Sequence, residues 1–365
     1  MIEAGKIPVA KKIALKLYSL KKNSEAVLHQ LSYLFWECTS RCNLKCLHCG
    51  SDCKKNSQSP DMPLDDFLNV LKNVKSTHDP SKIIIVITGG EPLMRKDLID
   101  AGEKIHSLGF PFGMVTNGYL MTKDLFHGLL RAGLMAMTVS LDGLEPEHNW
   151  FRGNRNSFER AINTINMAVT ARKKGFAFDV ITCVNKRNIT SLDRLKTLLI
   201  DSGVKDWRLV TIFPKGRAAG NDELQLSGVQ TRTLMDFIVK TRQESKINAS
   251  FSCEGFLGGY EMEVRDTPFF CRAGIAIGSV LADGSISACP SLRQDFIQGN
   301  IYTDNFVDVW NTRFQLMRDR SWAKSGECEK CNVWHYCKGN ALHLRDQKTG
   351  TLLYCNYKSL INSSN

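Results

Sequence analysis

From residue 31 to about 245 the chain alternates short apolar runs with amphipathic stretches. The runs 33–38 "YLFWEC", 83–88 "IIIVIT", 112–116 "FGMVT", 136–141 "AMTVSL", 177–184 "AFDVITCV" and 207–213 "WRLVTIF" read as strands. Between them, stretches such as 64–76 "LDDFLNVLKNVKS" and 157–173 "SFERAINTINMAVTARK" repeat their apolar residues at the helical period. Gly109, Gly133, Gly175 and Gly203 each close a helical stretch shortly before a strand, the place of a left-handed C-terminal cap. Near-continuous apolar strands separated by helices imply parallel strands covered on both faces. The expected fold class is therefore α/β. Six such units suit a partial (β/α)6, TIM-like barrel, whose working face is formed by the C-terminal ends of the strands.

After about residue 250 the helical period fades, and glycines, aromatics and six further cysteines between Cys271 and Cys355 take over. This composition predicts a small, irregular C-terminal domain stapled by metal. The expected division is residues 1–30 as an N-terminal amphipathic helix, 31–245 as the barrel and 246–365 as the metal-stapled domain. The basic helix over 8–30 is read as packed on the barrel rather than attached to a membrane.

Bulk composition narrows the function. A chain of 365 residues exceeds one ordinary core, which fits a large domain plus a smaller one. No apolar run approaches the roughly 20 residues that span a bilayer. The lysine-interrupted N-terminus lacks a signal peptide's apolar core and cleavage site. A cytoplasmic location is expected, where 13 clustered cysteines, an odd count, are metal ligands or catalysts before they are disulfides. The net charge of +11 is scattered over many helices without an aromatic-studded stripe, so no nucleic-acid partner is expected.

Chemistry gathers at the strand ends. "CTSRCNLKCLHCGSDC" (38–53) follows the first strand, and within it Cys42, Cys46 and Cys49 form C-x-x-x-C-x-x-C. "TGGEP" (88–92) ends the second strand, "TNG" (116–118) the third and "SLDG" (140–143) the fourth. Zinc needs four ligands in a closed tetrahedron, which Cys38 or Cys53 would complete. Three cysteines alone leave one iron of a cubane open. Cys38 and Cys53 are read as packed thiols, because a fourth ligand would close that iron. In "TGGEP", Gly89 and Gly90 let the backbone approach a ligand closely. Their carbonyls and Glu91 offer acceptors to an ammonium group.

The motifs resemble the radical S-adenosylmethionine (SAM) superfamily, marked by C-x-x-x-C-x-x-C after the first barrel strand. The resemblance implies a 4Fe–4S cluster on Cys42, Cys46 and Cys49 whose open iron binds SAM. It also implies reductive cleavage of SAM to a 5′-deoxyadenosyl radical that abstracts hydrogen from a substrate. By the same resemblance Gly89, Gly90 and Glu91 hold the amino group of SAM, and Ser140 lies near its ribose and carboxylate. Arg160 pairs with that carboxylate, with Arg152 as the competing candidate. Asn117 and Asp142 line the site or serve their turns. His48 takes a position where the family often has an aromatic.

Cys271, Gly284 and Cys289 give C-x12-G-x4-C, and Cys328, Cys331 and Cys337 give C-x2-C-x5-C, with Cys355 downstream. This resembles the SPASM domain, which carries auxiliary 4Fe–4S clusters in radical SAM enzymes that modify peptides and proteins. The resemblance implies one complete auxiliary cluster on Cys328, Cys331, Cys337 and Cys355. A second, on Cys271 and Cys289 with Cys253, would lack its usual cysteine, because Ala341 stands four residues after Cys337. Zinc is the rival occupant of these cysteines. "FPKGRAAG" (213–220), with Gly216 and Arg217, recurs near the cofactor or substrate in SPASM relatives and reads equally as a basic turn. The cysteine loop and "EGFLGGYEMEVRDTPFFCRAG" are similar to a bacterial subgroup whose gene neighbourhoods encode a small lipoprotein. The implied partners are a peptide or protein substrate and an electron donor such as flavodoxin or ferredoxin. Tetrapyrrole side-chain remodelling is the alternative activity, and a non-catalytic iron–sulfur or zinc scaffold the alternative from another class. No peptide-binding winged helix is expected before residue 31.

Overall fold

In the computed structural model, residues 2–55, 60–172, 175–252, 254–292 and 296–362 are described. Helix α1 (Val9–Leu28) precedes β1 (Tyr33–Glu37), α2 (Leu64–Lys75), β2 (Ile84–Thr88), α3 (Leu98–Ser107), β3 (Phe112–Thr116) and α4 (Lys123–Arg131). Then come β4 (Leu134–Ser140), α5 (Glu145–Arg152), α6 (Ser157–Arg172), β5 (Ala177–Val184), α7 (Leu192–Asp201), β6 (Asp206–Thr211), α8 (Gly228–Glu244) and β7 (Asn248–Phe251). The C-terminal part adds β8 (Ile277–Val280), β9 (Ser285–Ser287), β10 (Gly299–Asn300) and four short helices, α9 (Phe306–Thr312), α10 (Gln315–Arg318), α11 (Trp334–Cys337) and α12 (Asn356–Asn362).

Local rules explain the βα units. In α2, Leu64, Phe67, Leu68, Leu71 and Val74 are buried on one face, with Asp65 and Asp66 in the first turn and Lys72 and Lys75 in the last. That charge order suits the helix dipole. Trp36 of β1 stacks on Phe67 with ring centroids 4.4 Å apart. On the opposite face of the sheet Phe35, Val86, Asp179 and Arg208 line a cavity of about 670 Å³. Alternation therefore sends one side of each strand to the helices and the other into the barrel. All four interstrand glycines have positive φ, between 82° and 98°.

The strand order is β10-β9-β8-β1-β2-β3-β4-β5-β6-β7, and β8 and β1 to β7 pair in parallel. The six expected strands form a partial TIM-like barrel, and two more extend it. β7 joins one edge, while β8 from the C-terminal part lies beside β1 with Phe35 opposite Ser279. Both are only four residues long, too short for the pattern to announce them.

The expected seat of α1 is corrected. It packs on the C-terminal part, where Lys22 donates to the Tyr336 carbonyl (2.7 Å), Lys11 to the Gly259 carbonyl (2.6 Å) and Arg272 to Glu25 (3.1 Å). Its inner face is polar enough to hydrogen-bond those carbonyls. No helix of the described residues is long and apolar enough to cross a membrane.

Candidate active site and cluster centres

The cysteine loop leaves β1 and is gripped from two sides. From the loop after β2, the Gly90 amide donates to the Thr39 carbonyl (2.8 Å) and the Glu91 amide to the Arg41 carbonyl (2.9 Å). A Cβ at Gly90 would sit 2.1 Å from the Arg41 oxygen, so only glycine permits this approach. From the loop after β6, the Arg217 amide donates to the Cys49 carbonyl at 3.0 Å. The Arg217 guanidinium donates to the carbonyls of Cys46 (2.7 Å) and Cys53 (3.0 Å) and to Asp52 (2.8 Å). "FPKGRAAG" is thus a clamp on the cysteine loop rather than a free basic turn.

Cys42 and Cys46 are buried and Cys49 half-buried in one small cluster. Two donors aim at the sulfurs. Asn117 Nδ2 lies 4.0 Å from Cys42 Sγ, and Arg152 Nη1 lies 3.7 Å from Cys46 Sγ. Burial pushes the Cys42 thiol up to about 12. Cys49 is drawn down to about 5, first by a hydrogen bond from Cys53. The set of three sulfurs with cationic and amide donors around them suits thiolates on an electron-accepting metal cluster, which would displace the thiol protons. Cys38 is fully buried, and desolvation raises its thiol. His48 lies flat on Phe151, centroids 4.0 Å apart, and burial holds it neutral. An imidazole fills the aromatic position by stacking.

Glu91 is buried, and its carboxylate turns inward. Oε1 accepts from the Leu93 amide (3.1 Å) and Thr116 Oγ1 (2.7 Å), while Oε2 accepts from the Asn117 amide (2.8 Å). It ties the end of β2 to the end of β3, and Asn117 onto Asn43 of the cysteine loop (3.0 Å). Ser140 is half-buried at the end of β4. Arg160 is exposed in the first turn of α6, its guanidinium 5.9 Å from the Tyr119 ring centre. Tyr119 in turn packs against the cysteine cluster. The competing Arg152 is buried in an ion pair with Asp142, Nε to Oδ2 2.6 Å, beneath Cys46. Asp142 also accepts from the Cys183 amide (2.9 Å). Of the two arginines, Arg152 is paired inside the protein and Arg160 is exposed.

A cavity of about 770 Å³ opens where these loops meet the C-terminal part. Thr88, Gly89 and Gly50–Asp52 line it from below, Phe213–Arg217 from the side, and Pro290, Ser291, Asp346 and Leu353 from above. Its size is that of an ordinary ligand site.

A second cavity, about 620 Å³, is lined by Cys328, Cys331, Cys337 and Cys355 together. Arg345 Nη2 donates to Cys328 Sγ (3.1 Å) and the Asn340 amide to Cys337 Sγ (3.2 Å). Four sulfurs with donors around one space suit a fully ligated cubane. Cys271 is buried and Cys289 half-buried. Desolvation raises the Cys271 thiol, but Arg320 and hydrogen bonds from the Leu342 and Ala273 backbone together bring it below its ordinary value. Ala341 is buried beside this site, its amide 3.3 Å from the Glu254 carbonyl. Cys253 lies outside the described residues.

Arg345 and Cys183 had no signal in the sequence as site residues. Arg345 reaches Cys328, and Asp142 holds Arg152 under Cys46, because folding brings distant segments together. Cys183, His48 and Asp142 also bring ligand atoms within 4.8 Å of one another. There the Asp142 oxygens are already engaged by Arg152 and the Cys183 amide.

Comparison with known proteins agrees with this geometry. A radical SAM superfamily profile matches residues 36–199, and an iron–sulfur cluster-binding SPASM profile matches residues 271–332. The chain is 27% identical to the AdoMet-dependent heme synthase of Methanosarcina barkeri over 83% of this chain and 89% of that protein. It is 28% identical to the mycofactocin maturase MftC of Mycolicibacterium smegmatis, over 85% and 77%. In fold it is similar to Streptococcus suis SuiB (TM-score 0.67, 18% identity, 90% and 78% covered). It is likewise similar to anSMEcpe, solved with bound AdoMet (TM-score 0.68, 19% identity, 92% and 97%). The three-sulfur loop at the barrel mouth and the cysteine-lined cavity of the C-terminal part thus have their explanation: the chain belongs to the radical SAM superfamily and is a SPASM-containing enzyme, with the domains that bind SAM, a 4Fe–4S cluster and auxiliary iron–sulfur clusters.

Proposed function

We propose that the enzyme modifies a side chain of a peptide or protein substrate held in the cavity between the barrel mouth and the C-terminal part. The observation that carries this reading is the lining. Glu37, Asp52, Asp346, Lys215 and Arg217 line the cavity together with the apolar Phe213, Pro214, Ala219, Pro290 and Leu353. Side chains of both signs suit the donors and acceptors of a peptide backbone, whereas a flat macrocycle calls for an apolar slot. The mycofactocin maturase is among the similar proteins, which supports the same choice.

Cys42, Cys46 and Cys49 hold the SAM cluster, and Cys328, Cys331, Cys337 and Cys355 a complete auxiliary one. Cys271 and Cys289 hold a further cluster in which Ala341 replaces the usual cysteine. When bound, the first cluster supplies the electron that splits SAM into methionine and a 5′-deoxyadenosyl radical, which takes hydrogen from a substrate C–H. The protein's own part is positioning. Gly89 and Gly90 present backbone acceptors to the SAM ammonium, Ser140 and Arg160 meet its ribose and carboxylate, and Glu91 and Asn117 fix those loops. An acidic redox protein such as flavodoxin or ferredoxin delivers electrons in the cytoplasm.

The test is anaerobic incubation of the reconstituted enzyme with candidate peptides, reductant and SAM, read by mass spectrometry. A SAM-dependent mass change on a peptide supports the proposal. A second reading, tetrapyrrole remodelling, is favoured by the similar heme synthase. Turnover of an iron porphyrin with no peptide modified would decide for it.

A further inference from the structure

Helix α1 is apolar on the side that faces away from the protein. Val9, Ile13, Leu17, Leu20, Val27 and Leu28 are 57–76% exposed, and they make up six of the thirteen exposed large hydrophobic residues among those described. Their spacing of four, four, three, seven and one places them on a single helical face. The inner face carries buried Leu15 and Lys22, with Lys11 and Glu25 bonded to the C-terminal part. Burial against the fold therefore leaves the outer stripe unexplained. A monomer seldom exposes so continuous an apolar patch without a use.

The surroundings of the stripe are basic. Lys12 and Lys16 are exposed along one flank and Lys21 along the other. The helix has one acid, Glu25, whose carboxylate is shared between Arg272 (3.1 Å) and Lys21 (3.8 Å), which leaves Lys12 and Lys16 as the flanking cations. Beside the Asn23 flank, which Lys12 and Lys16 share, a pocket of about 270 Å³ is lined by Lys22, Arg318, Arg320, Lys324 and Lys338. Asp319 is its lone acid, and it accepts from the Ser321 amide and hydroxyl. Arg318 donates to the carbonyls of Gly274, Asn311 and Trp310, and Arg320 to those of Met317, Asn340 and Cys271 and to the Cys271 thiol. Lys22 and Arg320 face Cys337 and Cys271, so part of this charge serves cluster sulfur. Lys324 is exposed and points its charge outward.

We infer that the outer face of α1 docks on an anionic lipid surface. The aliphatic stripe runs along a 20-residue helix, about 30 Å long. Such a face immerses to the depth of its side chains in a bilayer interface while flanking lysines reach the headgroups.

The test is flotation of the full-length, cluster-loaded protein with vesicles. With equal parts phosphatidylglycerol and phosphatidylcholine the protein floats. Pure phosphatidylcholine, high salt, Leu17→Asp with Leu20→Asp, or Lys12→Glu with Lys16→Glu each lowers the bound fraction about tenfold. The substituted side chains are exposed, so unfolding temperature and iron content stay at wild-type values. Absence of flotation overturns the inference, and so does flotation unchanged by the Leu17/Leu20 pair. A dimer in sedimentation velocity that the same pair dissolves, without vesicle binding, assigns the stripe to a protein partner instead.

Discussion

Gly90→Ala isolates the contact on which the SAM-cluster loop depends. The added Cβ would lie 2.1 Å from the Arg41 oxygen and 2.6 Å from its carbon, both backbone atoms that cannot rotate away. The loop after β2 must lift, and it loses the Gly90–Thr39 and Glu91–Arg41 hydrogen bonds of 2.8 and 2.9 Å. Two net hydrogen bonds contribute about 2 kcal/mol, and forced backbone displacement costs about 1–3 kcal/mol more, so about 3–5 kcal/mol is expected. Gly220→Ala is the control. Its φ is +72° and nothing lies within 4 Å of the added Cβ, so only the left-handed backbone penalty of about 1–2 kcal/mol applies. Anaerobically reconstituted variants are compared by unfolding temperature, iron content and SAM affinity. Gly90→Ala should lose the most stability and bind SAM at least tenfold more weakly, which is about 1.4 kcal/mol of that displacement. Gly220→Ala should keep both iron and SAM. Equal behaviour of the two variants would refute the close-approach reasoning.

Asp142→Asn strands the buried Arg152 without its counter-charge and should cost about 3–5 kcal/mol in cluster-free protein. The penalty should shrink after reconstitution, when Cys46 beside Arg152 becomes a thiolate; denaturant titrations of both forms check it. Cys46→Ala should abolish 5′-deoxyadenosine formation, measured by chromatography, because two thiolates do not hold the cluster. Cys331→Ala should remove about four irons per chain, the content of one cubane, by colorimetric analysis. Burial raises Glu254 from 4.5 to about 8, against hydrogen bonds from Thr211, so the folded state holds a proton that the unfolded state has released. Stability should therefore fall as pH rises from about 4.5 to about 8, and Glu254→Gln should flatten that slope in thermal scans.

The linear chain determined what depends on period and covalent spacing. Apolar runs of strand length between helical periods were enough for six strands within a residue or two, as with Phe112–Thr116 and Ala177–Val184. The three-sulfur spacing Cys42–Cys46–Cys49 is set within one loop, so its chemistry was legible before any fold. Helix α1 was legible as an element, but its seat was not. The hydrogen bonds that place it join residues 314 and 248 positions apart. Strand β8 was hidden for a related reason. Four residues carry too little pattern, and its pairing with β1 spans most of the chain. Tertiary structure separated the surroundings of the two arginines. Local sequence put Arg160 first and Arg152 as its competitor, since both follow β4. Folding buried Arg152 against Asp142 and Cys46, 106 residues away, and left Arg160 exposed over Tyr119. It likewise turned Glu91 from a free acceptor into a strut between β2 and β3, because a buried carboxylate must find its donors inside the protein.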